Sequence, residues 1–340
     1  MHSSLSVLVL AMAVGCGEVP VSPVDGGVDG PSGTPVTPVA PSAGKAMYQG
    51  QQRLFKTTTG ATCAGRVAAS MAGTGFCYLA ADDNVKCAGL VGETTYGMTL
   101  APIGVGGVEQ ILLMFLDNGM CVTKTDHTAL CKGTNLNALG TASPSFTRWT
   151  ARSDLAALGS GTWDQICGIT MTGQVYCGGT ATPTSYGQPA VAVGTAGQTG
   201  LWVDTLGVAK LSDATVVRPA ESRTDCQITT TGMKCGAMTY GPTNGTVVSG
   251  TLTGSPDAPL PCWLTDNGSV TCSDGPRFAA GKVLLLAANS TTDSMCAIYN
   301  DGAVWCIGSN SNGKLGTGTT TALAVETLVA APGSARVRCE

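Results

Sequence analysis

Residues 296–306 read CAIYNDGAVWC, and this stretch decides the fold. Asn300-Asp301-Gly302 is a turn signal set between two apolar, alternating runs. Folded as a hairpin with a three-residue loop, the chain brings Tyr299 opposite Ala303, Ile298 opposite Val304, and Cys296 opposite Cys306. Opposed residues on antiparallel strands stand roughly 4.5–5.5 Å apart at Cα, a span that a disulfide bridges. The stretch therefore predicts a disulfide-stapled β-hairpin.

The same spacing recurs along the chain. Cys77 and Cys87, Cys121 and Cys131, Cys167 and Cys177, and Cys262 and Cys272 each enclose nine residues, as Cys296 and Cys306 do, whereas Cys226 and Cys235 enclose eight. A repeated gap is the mark of a repeat architecture. The position of Gly302 is filled elsewhere by Gly173, Gly268, His127 and Asp83, with Gly232 in the shortened copy. A three-residue hairpin loop ends in a residue at positive φ, where Gly is best and Asn, Asp and His are tolerated. His127 is thereby a turn residue, and no partners for catalysis accompany it. An apolar residue stands two before most closing cysteines (Val85, Ala129, Val175, Val270, Val304). A further apolar run precedes each hairpin, such as residues 111–114 (ILLM) and 284–288 (LLLAA). Each unit is thus a strand, a connection and a stapled hairpin. Successive first cysteines lie 44, 46, 59, 36 and 34 residues apart, the size of a propeller blade. The predicted fold class is all-β, a β-propeller of seven blades, with six as the alternative.

Composition agrees. Charged residues form 12% of the 340 residues and aromatics 5%, against 47 glycines, which leaves little with which to cover long amphipathic helices. The net charge of −4, with 18 basic residues scattered among 22 acidic ones, argues against nucleic acid. Fifteen cysteines without a Cys-x-x-Cys, and with only His2 and His127 as histidines, point to disulfides in an oxidising compartment rather than to a metal. No metal or other cofactor is expected.

At the amino terminus, residues 5–14 (LSVLVLAMAV) are too short to span a bilayer and suit a signal-peptide core. Ala13-Val14-Gly15-Cys16 resembles a bacterial lipobox, in which the cysteine is acylated and becomes the first mature residue. Residues 17–44, rich in Pro, Gly, Val and Ser, have the composition of a solvated tether. The expected organisation is a signal peptide over 1–15, a lipidated tether over 16–45 and a propeller over 46–340. Gly17 is compatible with outer-membrane sorting where Asp at that place retains a lipoprotein inside, so the expected location is the bacterial cell envelope, with secretion as the alternative.

Residues 296–318 (CAIYNDGAVWCIGSNSNGKLGTG) resemble the regulator of chromosome condensation repeat, C-A-L-x-x-x-G-x-V-x-C-W-G-x-N-x-x-G-Q-L-G, with Lys314 where Gln is usual. Residues 132–140 (KGTNLNALG) carry a shorter second copy of its tail. The resemblance implies a propeller over about residues 46–340. The founding activity of the family, nucleotide exchange on a nuclear GTPase with chromatin binding, requires partners that an exported acidic protein does not meet. Other bacterial members look like binding proteins, including propellers that inhibit secreted β-lactamases, and the resemblance implies a use of that class.

The expected function is a lipid-anchored binding module for another protein or an envelope component, and not an enzyme. A propeller-based extracellular hydrolase and a structural envelope component without a specific partner are the alternatives. A hydrolase needs a nucleophile with its base, a metal cluster or carboxylates across a cleft, and Asp82-Asp83 falls in a turn. Cys63 is expected to pair with Cys339 and close the ring. Residues 54–63 (LFKTTTGATC) resemble the Cys226 hairpin, with Leu54 in the place of the first cysteine. The long interval from Cys177 to Cys226 carries Trp202, expected either in a partner-binding loop or in a cysteine-free blade.

Overall fold

The structure is a computed structural model. It describes residues 36–38, 53–57, 62–65, 67–114, 119–133, 143–149, 152–160, 166–172, 174–178, 184–185, 190–196, 199–204, 209–211, 226–229, 232–235, 238–242, 244–245, 247–255, 258–289 and 292–337. Within 36–65, 184–211 and 226–235 only the backbone is described.

Hydrophobic alternation cut by Gly, Asn and Asp turns yields short antiparallel strands, each paired with its chain neighbour. A first sheet holds β1 (Val36–Pro38), β2 (Arg53–Thr57) and β3 (Thr62–Gly65). Blade I follows as β4 (Ala69–Met71), β5 (Gly75–Leu79), β6 (Asn84–Val91) and β7 (Thr94–Gly106). Blade II is β8 (Val108–Leu113), β9 (Gly119–Lys124), β10 (Ala129–Gly133) and β11 (Ser143–Arg148). Blade III is β12 (Leu155–Ser160), β13 (Ile166–Thr170), β14 (Val175–Gly178) and β15 (Thr184–Ser185). Blade IV has three strands, β16 (Ala190–Ala196), β17 (Thr199–Asp204) and β18 (Ala209–Leu211). Blade V is β19 (Cys226–Thr229), β20 (Gly232–Cys235) and β21 (Met238–Tyr240). Blade VI is β22 (Val247–Ser255), β23 (Ala258–Thr265), β24 (Val270–Cys272) and β25 (Gly275–Pro276). Blade VII is β26 (Val283–Asn289), β27 (Ser294–Tyr299), β28 (Val304–Gly308) and β29 (Leu323–Ala330).

The strands β19, β22, β26, β4, β8, β12 and β16 pack in that order, each against the next. Seven meander sheets packed side by side, with the last blade of the chain against the first, are the sheet arrangement of a β-propeller. The segment between blades IV and V, residues 212–225, lies outside the described residues.

Apolar side chains fill the spaces between blades. Phe76, Tyr78, Leu284, Leu285, Ile298 and Leu315 bury between VII and I, and Leu79, Val85, Val108, Ile111 and Val122 between I and II. Disulfides join Cys77 to Cys87, Cys121 to Cys131, Cys262 to Cys272 and Cys296 to Cys306, with Cα separations of 3.9–4.2 Å. Such short separations belong to the closely spaced pairs of an antiparallel ladder. Each of these bonds is buried among the apolar residues that face the next blade, so the staple is also core.

Polar groups stitch the same junctions. Ser70 Oγ accepts the Leu113 N–H at 3.0 Å, and Gln110 donates to the Leu158 carbonyl at 2.6 Å while accepting the Leu158 N–H at 2.8 Å. Buried polar atoms so paired fix one register between blades, because any slip strands them without water.

The last blade meets the first through the motif tail. Asn310 accepts the Leu315 N–H at 2.9 Å, and Lys314, fully buried, donates to the Gly73 carbonyl at 3.1 Å and to Thr292 Oγ1 at 2.6 Å. Gly313 is at φ 68, and a Cβ there would stand 2.4 Å from the Met98 side chain of blade I. The tail of the repeat is therefore an inter-blade clasp, and Lys314 reaches a main-chain carbonyl across the junction.

The carboxyl terminus finishes the junction. Ala335 bridges Ala80, and the Arg336 N–H donates to the Leu79 carbonyl at 2.9 Å. In blade VII the equivalent partner of Tyr299 is Val283, the first residue of β26. The inner strand of blade I is thus a composite, Ala69–Met71 from one end of the chain and Ala335 from the other. The carboxyl-terminal end thus meets the Cys77 hairpin through one bridge and one main-chain bond, and Cys339 lies outside the described residues.

Two further expectations shift. Cys63 faces Phe55 rather than Leu54, and the sheet β1–β3 stands beside the series of seven, with β1 against β26. Residues 36–38, placed in the tether by composition, form a strand that pairs with β2. Pro38 is tolerated there because β1 is an edge strand.

Candidate functional site: the hairpin-tip face

The loop residues predicted at positive φ are found there: Asp83 at 67°, His127 at 60°, Gly268 at 76° and Gly302 at 78°. Gly173 lies outside the described residues. Gly232 differs, since Thr229 faces it across a two-residue loop and it opens β20.

These loops are tied into one face by main-chain bonds. The first loop residue of a blade donates to the carbonyl just before that blade's own inner strand: Thr125 to Gly107 and Asn300 to Lys282, at 2.9 and 2.8 Å. Met171 donates likewise to Asp154 at 2.8 Å, and Ala81 to Ser334 at 2.9 Å. The loop's third residue then accepts from the next blade: Gly268 from Val283, His127 from Leu155 and Gly302 from Ala335, at 2.8–3.0 Å. Main-chain bonds therefore join the tips of blades VI, VII and I in one run and those of blades II and III in another.

The middle loop residue explains how each tip keeps its shape. Asp82, Asp126, Asn267 and Asp301 each accept the N–H of the residue two further on, at 3.2, 3.1, 3.1 and 2.9 Å. This is the Asx turn, in which a short polar side chain stands in for a backbone carbonyl. Thr128 also donates its hydroxyl to Asp126, and these bonds hold the Asp126 carboxyl below its ordinary range. Asp82 and Asp83 part company at the tip, because Asp83 turns to Arg336 Nη1 at 2.7 Å. The rim carboxylates are committed to turns and closure. Among the described residues no group of three or more His, Cys, Asp or Glu is placed to hold a metal ion.

Blade III departs from the pattern. Its first loop residue is Met171, 61% exposed, where the other tips carry Ala81, Thr125, Asp266 and Asn300. Beside it the Arg152 guanidinium lies 4.1 Å over the Tyr176 ring and holds Asp154 with two bonds, at 2.7 and 2.6 Å. The Arg152 bonds keep the Asp154 carboxyl below its ordinary range. Tyr176 in turn donates its hydroxyl to Gln174 at 2.9 Å. An exposed apolar side chain next to a pre-stacked Arg–Tyr pair has the make-up of an interface anchor. Sequence reasoning missed it, although the signal was present: an apolar residue at a loop position that is otherwise small or polar.

The buried tyrosines are structural. Tyr78 is pushed up to about 12 by burial and secondarily by Asp82. Burial also raises Tyr299, whose hydroxyl donates to Glu326 at 2.8 Å and accepts the Ala279 N–H at 3.1 Å.

The remaining sequence-predicted residues fall as follows. Cys167 is disulfide-bonded and faces Cys177 in the ladder. Cys226 faces Cys235. The Cys177, Cys226 and Cys235 side chains, and Cys16 and Cys339 altogether, lie outside the described residues. Trp202 lies in β17, opposite Val193 on one side and Lys210 on the other, so the long interval forms a cysteine-free blade rather than a loop. Its counterparts one residue after a first cysteine, Tyr78, Val122, Trp263 and Ala297, are all buried.

No protein-family profile and no curated protein matches the sequence. Among solved structures, the chain is similar to yeast RCC1 (Prp20), crystallised with Kap60 bound, at 14% identity over 77% of this chain and 74% of that one, with a TM-score of 0.44. Human WBSCR16 is similar at 16% identity over 79% and 82%, TM-score 0.44. The Saccharomyces cerevisiae Prp20p structure, described with its binding to Gsp1p and histones, is similar at 13% identity over 88% and 86%, TM-score 0.43.

Proposed function

We propose that the protein is an extracytoplasmic propeller, anchored through a lipid on Cys16, that binds another protein or an envelope component with its hairpin-tip face. The observation that carries this reading is the rim itself: the tips of blades VI, VII and I, and those of II and III, are joined by main-chain bonds, with Met171 exposed upon it beside the half-buried Arg152 and Tyr176. A rigid face with one apolar anchor binds without a large ordering cost. The stapled hairpins fit an oxidising compartment, where disulfides persist. No catalytic step is assigned to the rim, since its carboxylates serve turns and the closing ion pair.

A photo-crosslinking residue at position 171, on intact cells, is expected to capture one defined partner, whereas the same residue at position 325, on the outer strand β29, captures none. Equal labelling from both positions sinks the tip-face site. Cys16→Ser is expected to release the protein from the membrane fraction, and continued retention counts against the anchor.

A further inference from the structure

Three Asn-Gly pairs lie among the described residues: Asn244-Gly245, Asn267-Gly268 and Asn312-Gly313. Such a pair is chemically labile. The glycine amide nitrogen attacks the asparagine Cγ, a new C–N bond closes a succinimide, and the side-chain nitrogen leaves as ammonia. Water then opens the ring to aspartate or to isoaspartate, so the net change is amide plus water to acid plus ammonia. The attack needs a glycine nitrogen free of other bonds and a backbone able to bend toward the side chain.

Two of the pairs are locked. The Gly268 N–H donates to the Thr265 carbonyl at 2.9 Å, Gly268 is buried, and Asn267 Oδ1 holds Thr265 Oγ1 at 2.6 Å and the Ser269 N–H at 3.1 Å. The Gly313 N–H donates to the Asn310 carbonyl at 3.0 Å, and Gly313 is buried in the clasp. The third pair stands apart. Asn244 and Gly245 are both exposed in a bend just before β22, and the Gly245 N–H makes no hydrogen bond among the described residues.

We infer that Asn244 is a site of spontaneous covalent modification, with water as the only co-reactant, and that Asn267 and Asn312 are protected by the fold. The product changes blade VI locally. A Cβ on Gly245 would stand 2.8 Å from Asp266 Oδ1, so the bend that gains a carboxylate lies against one already present. Aged protein thus carries one more negative charge beside the blade VI tip than fresh protein does.

The test is to hold the disulfide-intact protein at mildly alkaline pH and follow all three sites by peptide mapping, with isoaspartate read by fragmentation. Asn244 is expected to convert about tenfold or more faster than the other two, since each of those must first break a buried hydrogen bond. The reduced, unfolded chain is the control, and there all three sites convert at similar rates. Asn244→Gln, with its longer side chain, removes the fast event without touching the fold. The inference is overturned if Asn267 or Asn312 converts as fast as Asn244 in the folded protein, or if Asn244 keeps its amide under conditions that modify it in the unfolded chain.

Discussion

Blade VII and blade IV solve one problem with different chemistry. In blade VII, Cys296 faces Cys306 and a disulfide joins them. In blade IV, Leu201 faces Leu211 at the same ten-residue separation, and Gly207 stands in sequence where Gly302 stands in blade VII. The hairpin is therefore set by alternation and by a loop that ends in glycine. The covalent bond is an addition to a register already specified. A small domain needs staples because its core is small, but a propeller gains its core from neighbours, and one blade without a staple is tolerated.

The largest expected effect lies where the chain ends meet. Blade I differs from both in having an inner strand from two ends of the chain, and Val67 and Val337 pack in the same core cluster. Cys63 is four residues before the one and Cys339 two after the other. The pairing of Cys63 with Cys339 remains our proposal, and it closes nearly the whole chain. The double substitution Cys63→Ser/Cys339→Ser is expected to cost up to about 5 kcal/mol in urea unfolding, on the chain-entropy account. Labelling of both thiols in the native protein, or an unchanged midpoint, rules the bond out.

Next comes the aromatic of the cysteine-free blade. Trp202→Ala is expected to destabilise by about 3 to 5 kcal/mol, the range for truncating a large buried side chain, because Trp263 at the matching place is buried. Unchanged melting with weakened partner capture returns Trp202 to the binding surface and separates blade IV from the others in function as well as chemistry.

The two blades also show what was readable beforehand. Blade VII was legible down to individual pairs: Cys296 with Cys306 and Ile298 with Val304 are as the alternation demands. Cysteines made the repeat visible, so blade IV, which lacks them, was legible only as surplus length with a tryptophan in it. Long-range pairings were least accessible. The contribution of Ala335 to blade I depends on a partner more than two hundred residues away, and no local pattern encodes that. The tip face was half legible. Positive φ at Asp83 and His127 followed from loop length, whereas the Arg152 and Tyr176 pair at Met171 arises from strands that meet only in the fold.

Removing a staple measures what the bond adds to a register that stands without it. Cys296→Ala/Cys306→Ala is expected to cost about 3 kcal/mol, the value for closing a short loop, while the fold and the crosslink at position 171 persist. Loss of all folded signal instead makes the bond part of the specification and defeats the comparison with blade IV.

The smallest effect is the converse experiment. Leu201→Cys/Leu211→Cys gives blade IV the cysteines of its neighbours at positions directly opposed in the ladder, between a Trp202–Lys210 pair and the strand end. Directly opposed residues satisfy disulfide geometry in either type of antiparallel pair, whereas diagonal ones do not. The bond is expected to form on oxidation. The entropic gain is offset by the loss of two leucine side chains, so the net change is expected to be about 1 kcal/mol of stabilisation, small beside the other effects. The diagonal pair Leu201→Cys/Lys210→Cys is the control and should stay reduced. A bond in the diagonal pair and none in the opposed pair means that blade IV is shifted by one residue, which moves Trp202 to the other face of the strand and overturns the expectation that truncating it is costly.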